Sequence, residues 1–186
     1  MLAVDVDLNS LVQGARAGEP DAWDRLFQRY QRPLYTFVYE LVRQEQPSLD
    51  LVQDTFISAV RHLGSLRDAD RFGSWLFGIA HQKCLQRWRQ AGRAGRVVDD
   101  EQPVPEDAVS AENDPAAWLI QREQEEAFMS ALNQLPPPHR AVLLLHFIED
   151  FPLEEIAAIT GAPLGTVKSR LHYAKKQLRQ RLDAMP

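Results

Sequence analysis

The sequence predicts an all-α fold: two small helical domains joined by an acidic flexible linker, the C-terminal one a helix-turn-helix. Three observations carry this. Apolar residues recur at spacings of three and four in one segment after another, which is the period of a helix face. No run of alternating apolar and polar residues is bounded by turn signals, as a strand would be. Between Val97 and Pro115 stand seven acids and no base, with Pro103, Pro105 and Pro115 discouraging regular structure. The 186 residues therefore divide into a helical domain over 1–95, a linker over 96–115 and a second domain over 116–186, each able to bury a modest core. The linker is expected to be extended and mobile, leaving the two domains independent.

In the first domain, Asn9 or Ser10 can cap a helix that Gly18 ends, and Pro20 can open a second through Trp23, Leu26, Phe27 and Tyr30. Proline suits a first turn better than a helix interior, so Pro33 is read as starting a third, carrying Leu34, Phe37, Val38 and Leu41. After Pro47, with Ser48 as the expected cap, a helix places Leu49, Val52, Phe56, Ala59 and Leu63 on a core stripe. Its other side gathers Asp50, Gln53, Asp54, Ile57 and Arg61. A branched apolar residue among acids suits contact with a protein and equally suits an ordinary solvated face; the pattern leaves both open.

The helix from about Phe72 to Gln90 has more apolar surface than a small core needs. Phe72, Trp75, Leu76 and Ile79 form one stripe; Phe77, His81, Cys84 and Trp88 form a second about 150° away. Either the second stripe is free for a ligand, or the helix lies between two layers of its own domain. Rings beside Arg87, Arg89 and Arg93 suit single-stranded nucleic acid, whose bases stack on rings while phosphates meet guanidinium.

The second domain carries the most specific local pattern. Ile156 and Ile159 give a short helix its inner stripe, Ala157 permits close helix approach, and Gly161 can take the left-handed conformation that ends it. In the next helix Leu164, Val167, Leu171, Ala174 and Leu178 form a stripe facing that partner. Gly165, Lys168, Ser169, His172, Tyr173 and Lys176 fall on the opposite face, a set of donors, acceptors and one ring suited to phosphate and base-edge contact. A basic second helix after a glycine turn is how helix-turn-helix proteins enter a DNA major groove.

A formal net charge of −5 argues against nucleic acid until it is divided by segment. Without the seven linker acids, the other residues carry 21 bases against 19 acids; Arg71 to Val98 and Leu164 to Leu182 each hold six bases and no acid. A lone Cys84 excludes an intramolecular disulfide, and no second Cys/His pair joins His81 and Cys84 to complete a zinc site, so no metal or cofactor is expected. With no signal peptide or long apolar run, the chain is expected to be cytoplasmic and not inserted in a membrane.

Three stretches, Asp50-Leu51-Val52-Gln53-Asp54-Thr55-Phe56, Phe72-Gly73-Ser74-Trp75-Leu76-Phe77-Gly78-Ile79-Ala80 and Gly161 to Leu171, resemble the successive signatures of the bacterial extracytoplasmic-function sigma factors. These are short members of the sigma-70 family with only the promoter-melting and −35-binding domains. The likeness covers about Ala22 to Gly92 and Ala131 to Leu182. It implies a protein that makes and breaks no bond itself, but directs core RNA polymerase to promoters.

The resemblance also implies roles. Asp50, Gln53, Asp54 and Ile57 match the face that holds the polymerase clamp coiled coil, and the second domain would meet the flap. Leu66, Arg67, Asp68, Arg71 and Phe72 match the loop that captures a flipped −10 base; Phe77, His81, Gln82 and Arg87 lie on the helix that supports and reads neighbouring single-stranded positions. Thr166, Lys168, Ser169, His172, Tyr173 and Lys176 would read the −35 element as duplex. Gly78 stands where many relatives carry arginine, and Gln82 where asparagine is frequent. Relatives are commonly sequestered by an anti-sigma factor, so such a partner is expected. The rival reading is a dimeric helix-turn-helix regulator that binds palindromic duplex without polymerase.

Overall fold

The computed structural model describes residues 7–93 and 128–183; the linker and its expected mobility lie outside the described residues. Among them α1 spans Leu8–Arg16, α2 Pro20–Val42, α3 Glu45–His62 and α4 Phe72–Arg93. Two single 3-10 turns, Leu63–Ser65 and Ala69–Arg71, connect α3 to α4. After a helical stretch at 128–133, α5 spans Pro137–Phe147, α6 Leu153–Thr160 and α7 Leu164–Asp183. The described residues contain no strand, as an all-α fold requires.

Local chemistry sets most boundaries. Gly18 takes φ 83° and lets Glu19 N–H reach the Gly14 carbonyl at 3.0 Å, closing α1. Asn9 and Ser10 lie inside α1 rather than capping it; Asp7 precedes the first turn. Pro33 does not start a helix: α2 runs through it. Leu26, Leu34, Phe37, Val38 and Leu41 are buried along one face on both sides of the proline, so packing holds the helix. The bond Pro33 cannot give falls at Arg29, on the exposed side where water can replace it. Similarly α3 begins before Pro47, which sits in the first turn where no N–H is needed. Ser48 is therefore inside the helix, buried, its hydroxyl donating to the Gln44 carbonyl at 2.6 Å. Leu49, expected in the core, is exposed.

The helix-turn-helix forms as its pattern predicts. Gly161 adopts φ 65° between α6 and α7. Val167, Leu171 and Ala174 are buried, with Leu164 and Leu178 half-buried at either end, and Ile156 and Ile159 are buried on α6.

The two helical groups do not stand apart. Arg140 to Leu145 of α5 are buried without interruption, as befits a helix apolar all round, because α7 covers one side and α2 of the first domain another. Along the same boundary α6 packs on α4. Phe151, between α5 and α6, meets the Phe77 ring edge-on at 5.3 Å, and Phe77 in turn packs at 5.3 Å on Phe37. Arg140 ties the ends: one guanidinium nitrogen donates to the Glu40 carbonyl at 2.7 Å, the other to the carbonyls of Asn133 at 2.7 Å and Leu135 at 3.1 Å. Carbonyls in the last turn of a helix lack intrahelical donors, and here the second domain supplies one to α2. Burial and neighbouring Arg43 push the Arg140 pKa down to about 10 while Glu40, itself paired with Arg43, opposes the shift; Arg140 stays charged at neutral pH. One apolar cluster thus runs through both groups of helices.

Candidate nucleic-acid interface

On α7 the face opposite the buried stripe is open. Lys168, Ser169, His172, Tyr173 and Lys176 are exposed and Thr166 is half-buried beside them. Ser169 donates to the Thr166 carbonyl at 3.0 Å, and Tyr173 rests against the His139 ring at 4.7 Å. The structure thus brings all six predicted duplex-reading residues to one side of one helix. Next to them lies a groove that sequence reasoning missed, lined by Phe128, Leu143, Phe147 and Lys175, with Phe147 and Ile148 exposed and the Lys175 ammonium 5.7 Å from the Phe147 ring.

Asp50, Gln53, Asp54 and Ile57 project together from α3, all exposed. Gln46 donates to Asp50 at 3.0 Å. Their apolar surroundings are wider than the sequence suggested: Phe27, Leu49, Ile57 and Val60 are 43, 45, 41 and 55% exposed and rim a groove of about 770 Å³ floored by Val52 and Phe56. Val60, three residues beyond Ile57, was the available signal. Leu49 was masked by its fit to the core stripe, and Phe27 comes from a different helix.

The loop before α4 and the exposed part of α4 line a third groove, of about 760 Å³. Arg67, Asp68, Arg71 and Gln82 are exposed there. Asp68 accepts the Asp70 N–H at 3.1 Å and lies 3.6 Å from Arg71, so it shapes the turn as well as lining the groove. Arg16 of α1 donates to the Leu66 carbonyl and anchors the loop, while the Leu66 side chain is buried.

The remaining residues on this helix are placed differently. Phe72 is fully buried, 5.3 Å from the Tyr30 ring and 5.9 Å from Trp75. Arg87 is half-buried and donates to Gln44 at 2.8 Å. Phe77 and His81, on the second stripe, are buried as well. The helix does lie between two layers, but the second layer comes from α6 and Phe151 rather than from its own domain, and Ala158 and Ile159 form one wall of the groove. Burial, reinforced by the Arg170 charge from α7, holds His81 down to about 4, so its imidazole is neutral, and its Nδ1 has no partner among the described residues. Burial pushes the Cys84 thiol up to about 12 and makes it a poor nucleophile. Among the described residues no three His, Cys, Asp or Glu side chains converge as a metal site would need, and no helix is long and apolar enough to cross a membrane. Sequence reasoning missed Arg140, Phe151 and Arg170, which act across the boundary between the domains.

Two family models match the chain in order: sigma-70 region 2 over residues 26–94 and sigma-70 region 4 over residues 125–178. The chain is 34% identical over 171 residues to the ECF RNA polymerase sigma factor SigE of Mycolicibacterium smegmatis, covering 91% of this chain but only 64% of that protein's length. It is 32% identical over 175 residues to the RNA polymerase sigma factor CarQ of Myxococcus xanthus, covering 91% of this chain and 94% of that one. The sigma factor RpoE of Bartonella quintana, solved in complex with the anti-sigma factor NepR, superposes with a TM-score of 0.70 at 25% identity, over 88% of this chain and 98% of that one. With both regions present in family order on helices of matching fold, the chain belongs to the extracytoplasmic-function sigma factors of the sigma-70 family.

Proposed function

We propose that this protein directs core RNA polymerase to two-part promoters and helps to melt the −10 element. The observation that carries the reading is the exposed, acid-free face of α7, with Lys168, Ser169, His172 and Tyr173 aligned for a major groove, joined in one chain to the loop and groove of α4. Lys168 and Lys176 would meet phosphate, while Ser169 and His172 would hydrogen-bond base edges and Tyr173 would add a ring at the groove wall. Duplex recognition would orient the chain; the groove beside Arg67 and Arg71 would then hold an extruded base and offset part of the unstacking cost of a few kcal/mol.

Asp50, Gln53 and Asp54 would supply charge complementarity to the clamp coiled coil of polymerase, and the apolar rim of Phe27, Leu49, Ile57 and Val60 would supply buried area. The exposed Phe147 and Ile148 beside α7 would take the polymerase flap. By analogy with the relative solved with its anti-sigma factor, a sequestering protein partner is part of the proposal. Run-off transcription with purified core polymerase and a genomic fragment library tests it. Specific transcripts that need both core and this chain are expected. Sequence-specific binding to palindromic duplex, with no polymerase-dependent transcript, would replace this reading by that of a conventional regulator.

A further inference from the structure

We propose that Arg16 is a positioning residue for −10 base capture. From the end of α1 its guanidinium holds the middle of the loop between α3 and α4, so that the groove beside Arg67 and Arg71 is formed before DNA arrives. The proposal rests on the role given above to that loop.

The loop is fastened at every third residue. Leu63, Leu66, Ala69 and Phe72 are buried, while the pairs between them, such as Arg67 with Asp68, are exposed. At either end a 3-10 turn holds its own backbone: the Leu66 N–H donates to the Leu63 carbonyl at 3.1 Å and the Arg71 N–H to the Asp68 carbonyl at 3.2 Å. Between the turns the chain is extended, with Leu66 at φ −70°, ψ 117° and Asp68 at φ −117°, ψ 113°. A lone extended segment has no helical turn or neighbouring strand to fix its peptide planes. Here the Arg16 guanidinium does so, by donating to the Leu66 carbonyl.

That carbonyl belongs to the planar peptide joining Leu66 to Arg67, so fixing its direction fixes where the Arg67 side chain leaves the backbone. A hollow of about 470 Å³ lies between the end of α1 and the loop, lined by Ala15, Arg16, Val60, Leu63 and Arg67, and leaves the middle of the loop little other support on that side. The anchor itself stands on firm ground. Leu11, Val12 and Ala15 are buried, and α1 packs on both α2 and the Ala69–Arg71 turn. Gln13 accepts from the other guanidinium nitrogen of Arg16 at 3.5 Å. All of α1 lies ahead of residues 26–94, so the loop is held from outside the segment that matches sigma-70 region 2. A groove shaped in advance loses less freedom when it takes a base. Without the anchor that ordering would fall on the melting step, and not on duplex recognition by α7 or on the hold on polymerase.

The test uses holoenzyme assembled from the full chain and core polymerase, on a promoter found by run-off transcription, with 2-aminopurine in the −10 element reporting the rate of opening. Arg16→Ala should slow opening about tenfold while closed-complex affinity, core pull-down and circular dichroism stay unchanged, because Arg16 is exposed and touches neither the α3 nor the α7 face. Arg16→Lys, which keeps a charged donor, should recover most of the rate. In an Arg67→Ala background Arg16→Ala should add little, since it acts through the placing of Arg67. Unchanged opening in Arg16→Ala, an equal loss in Arg16→Lys, a weakened closed complex, or a loss that multiplies with that of Arg67→Ala would each overturn the positioning role. A chain carrying both Arg67→Ala and Arg71→Ala separates the two levels of inference. Normal opening there would refute the loop's role in base capture, whereas impaired opening there with normal opening in Arg16→Ala would refute only the part given to Arg16.

Discussion

Replacing Arg140 by alanine would remove donors from three carbonyls at once, those of Glu40 in the first domain and Asn133 and Leu135 in the second. Hydrogen bonds from a charged donor contribute about 1.5–3 kcal/mol each, so three give about 5 kcal/mol or more. Against this stands the cost of burying the cation: a pKa lowered from 12.5 to about 10 corresponds, at about 1.4 kcal/mol per pKa unit, to roughly 3 kcal/mol that the alanine variant recovers. The net loss is therefore at least about 2 kcal/mol and up to about 6, or some 5 °C or more in melting temperature for a chain of this size. Because one bond spans the domains and two lie within the second, cooperativity should change as well as stability. Urea unfolding followed by tryptophan fluorescence and by far-ultraviolet circular dichroism checks both. Trp23, Trp75 and Trp88 lie in the first domain and Trp118 in the second, so in a Trp118→Phe background fluorescence reports on the first domain, while dichroism reports on all helices. The parent chain should unfold in one coincident transition, and Arg140→Ala should show an earlier, split one. Coincident curves with an unshifted midpoint would refute the argument that this guanidinium joins the domains.

Reversing Asp50 and Asp54 to lysine should abolish pull-down of core polymerase while leaving circular dichroism unchanged, since both side chains are exposed. Lys168→Ala should weaken duplex binding and flatten its salt dependence by about one phosphate's worth, measured as the slope of log affinity against log salt. Ser169→Ala or His172→Ala should instead change base preference in a promoter library, by roughly 1–3 kcal/mol per lost contact. His81 has a folded-state pKa of about 4 against 6.5 when solvated, with Arg170 the charge that faces it, so packing disfavours its protonation. Its contribution should be constant above about pH 6.5 and be lost progressively as pH falls toward 4, up to roughly 3 kcal/mol. Thermal melts across that range should slope downward for the parent chain and less so for His81→Gln.

What the sequence made legible was local. The stripe Leu164, Val167, Leu171, Ala174 and Leu178, the turn at Gly161 and the exposed face between them all follow from residues within four positions of one another. Prolines misled where tertiary packing outweighed a local preference: the apolar stripe of α2 carries the helix across Pro33, and α3 opens before Pro47 rather than after it. The surplus apolar surface on α4 was visible, but not what covers it. Phe151 lies far along the chain from Phe77, and Arg140 is 100 residues from the carbonyl it fills. No periodicity carries that information, because neither partner alters the pattern of the other.

A helix with a solvent face can drift in sequence on that side at little cost, and homologues usually diverge there first. From Arg140 to Leu145, α5 has no such side. A larger residue at one of these positions presses on α7 or on α2, and relief in one direction is strain in the other. Changes in this segment would then be accepted mainly in pairs, one in α5 and one in α2 or α7. Chimaeras that exchange second domains between related chains should fail at α5 unless the facing residues of α2 are carried with it.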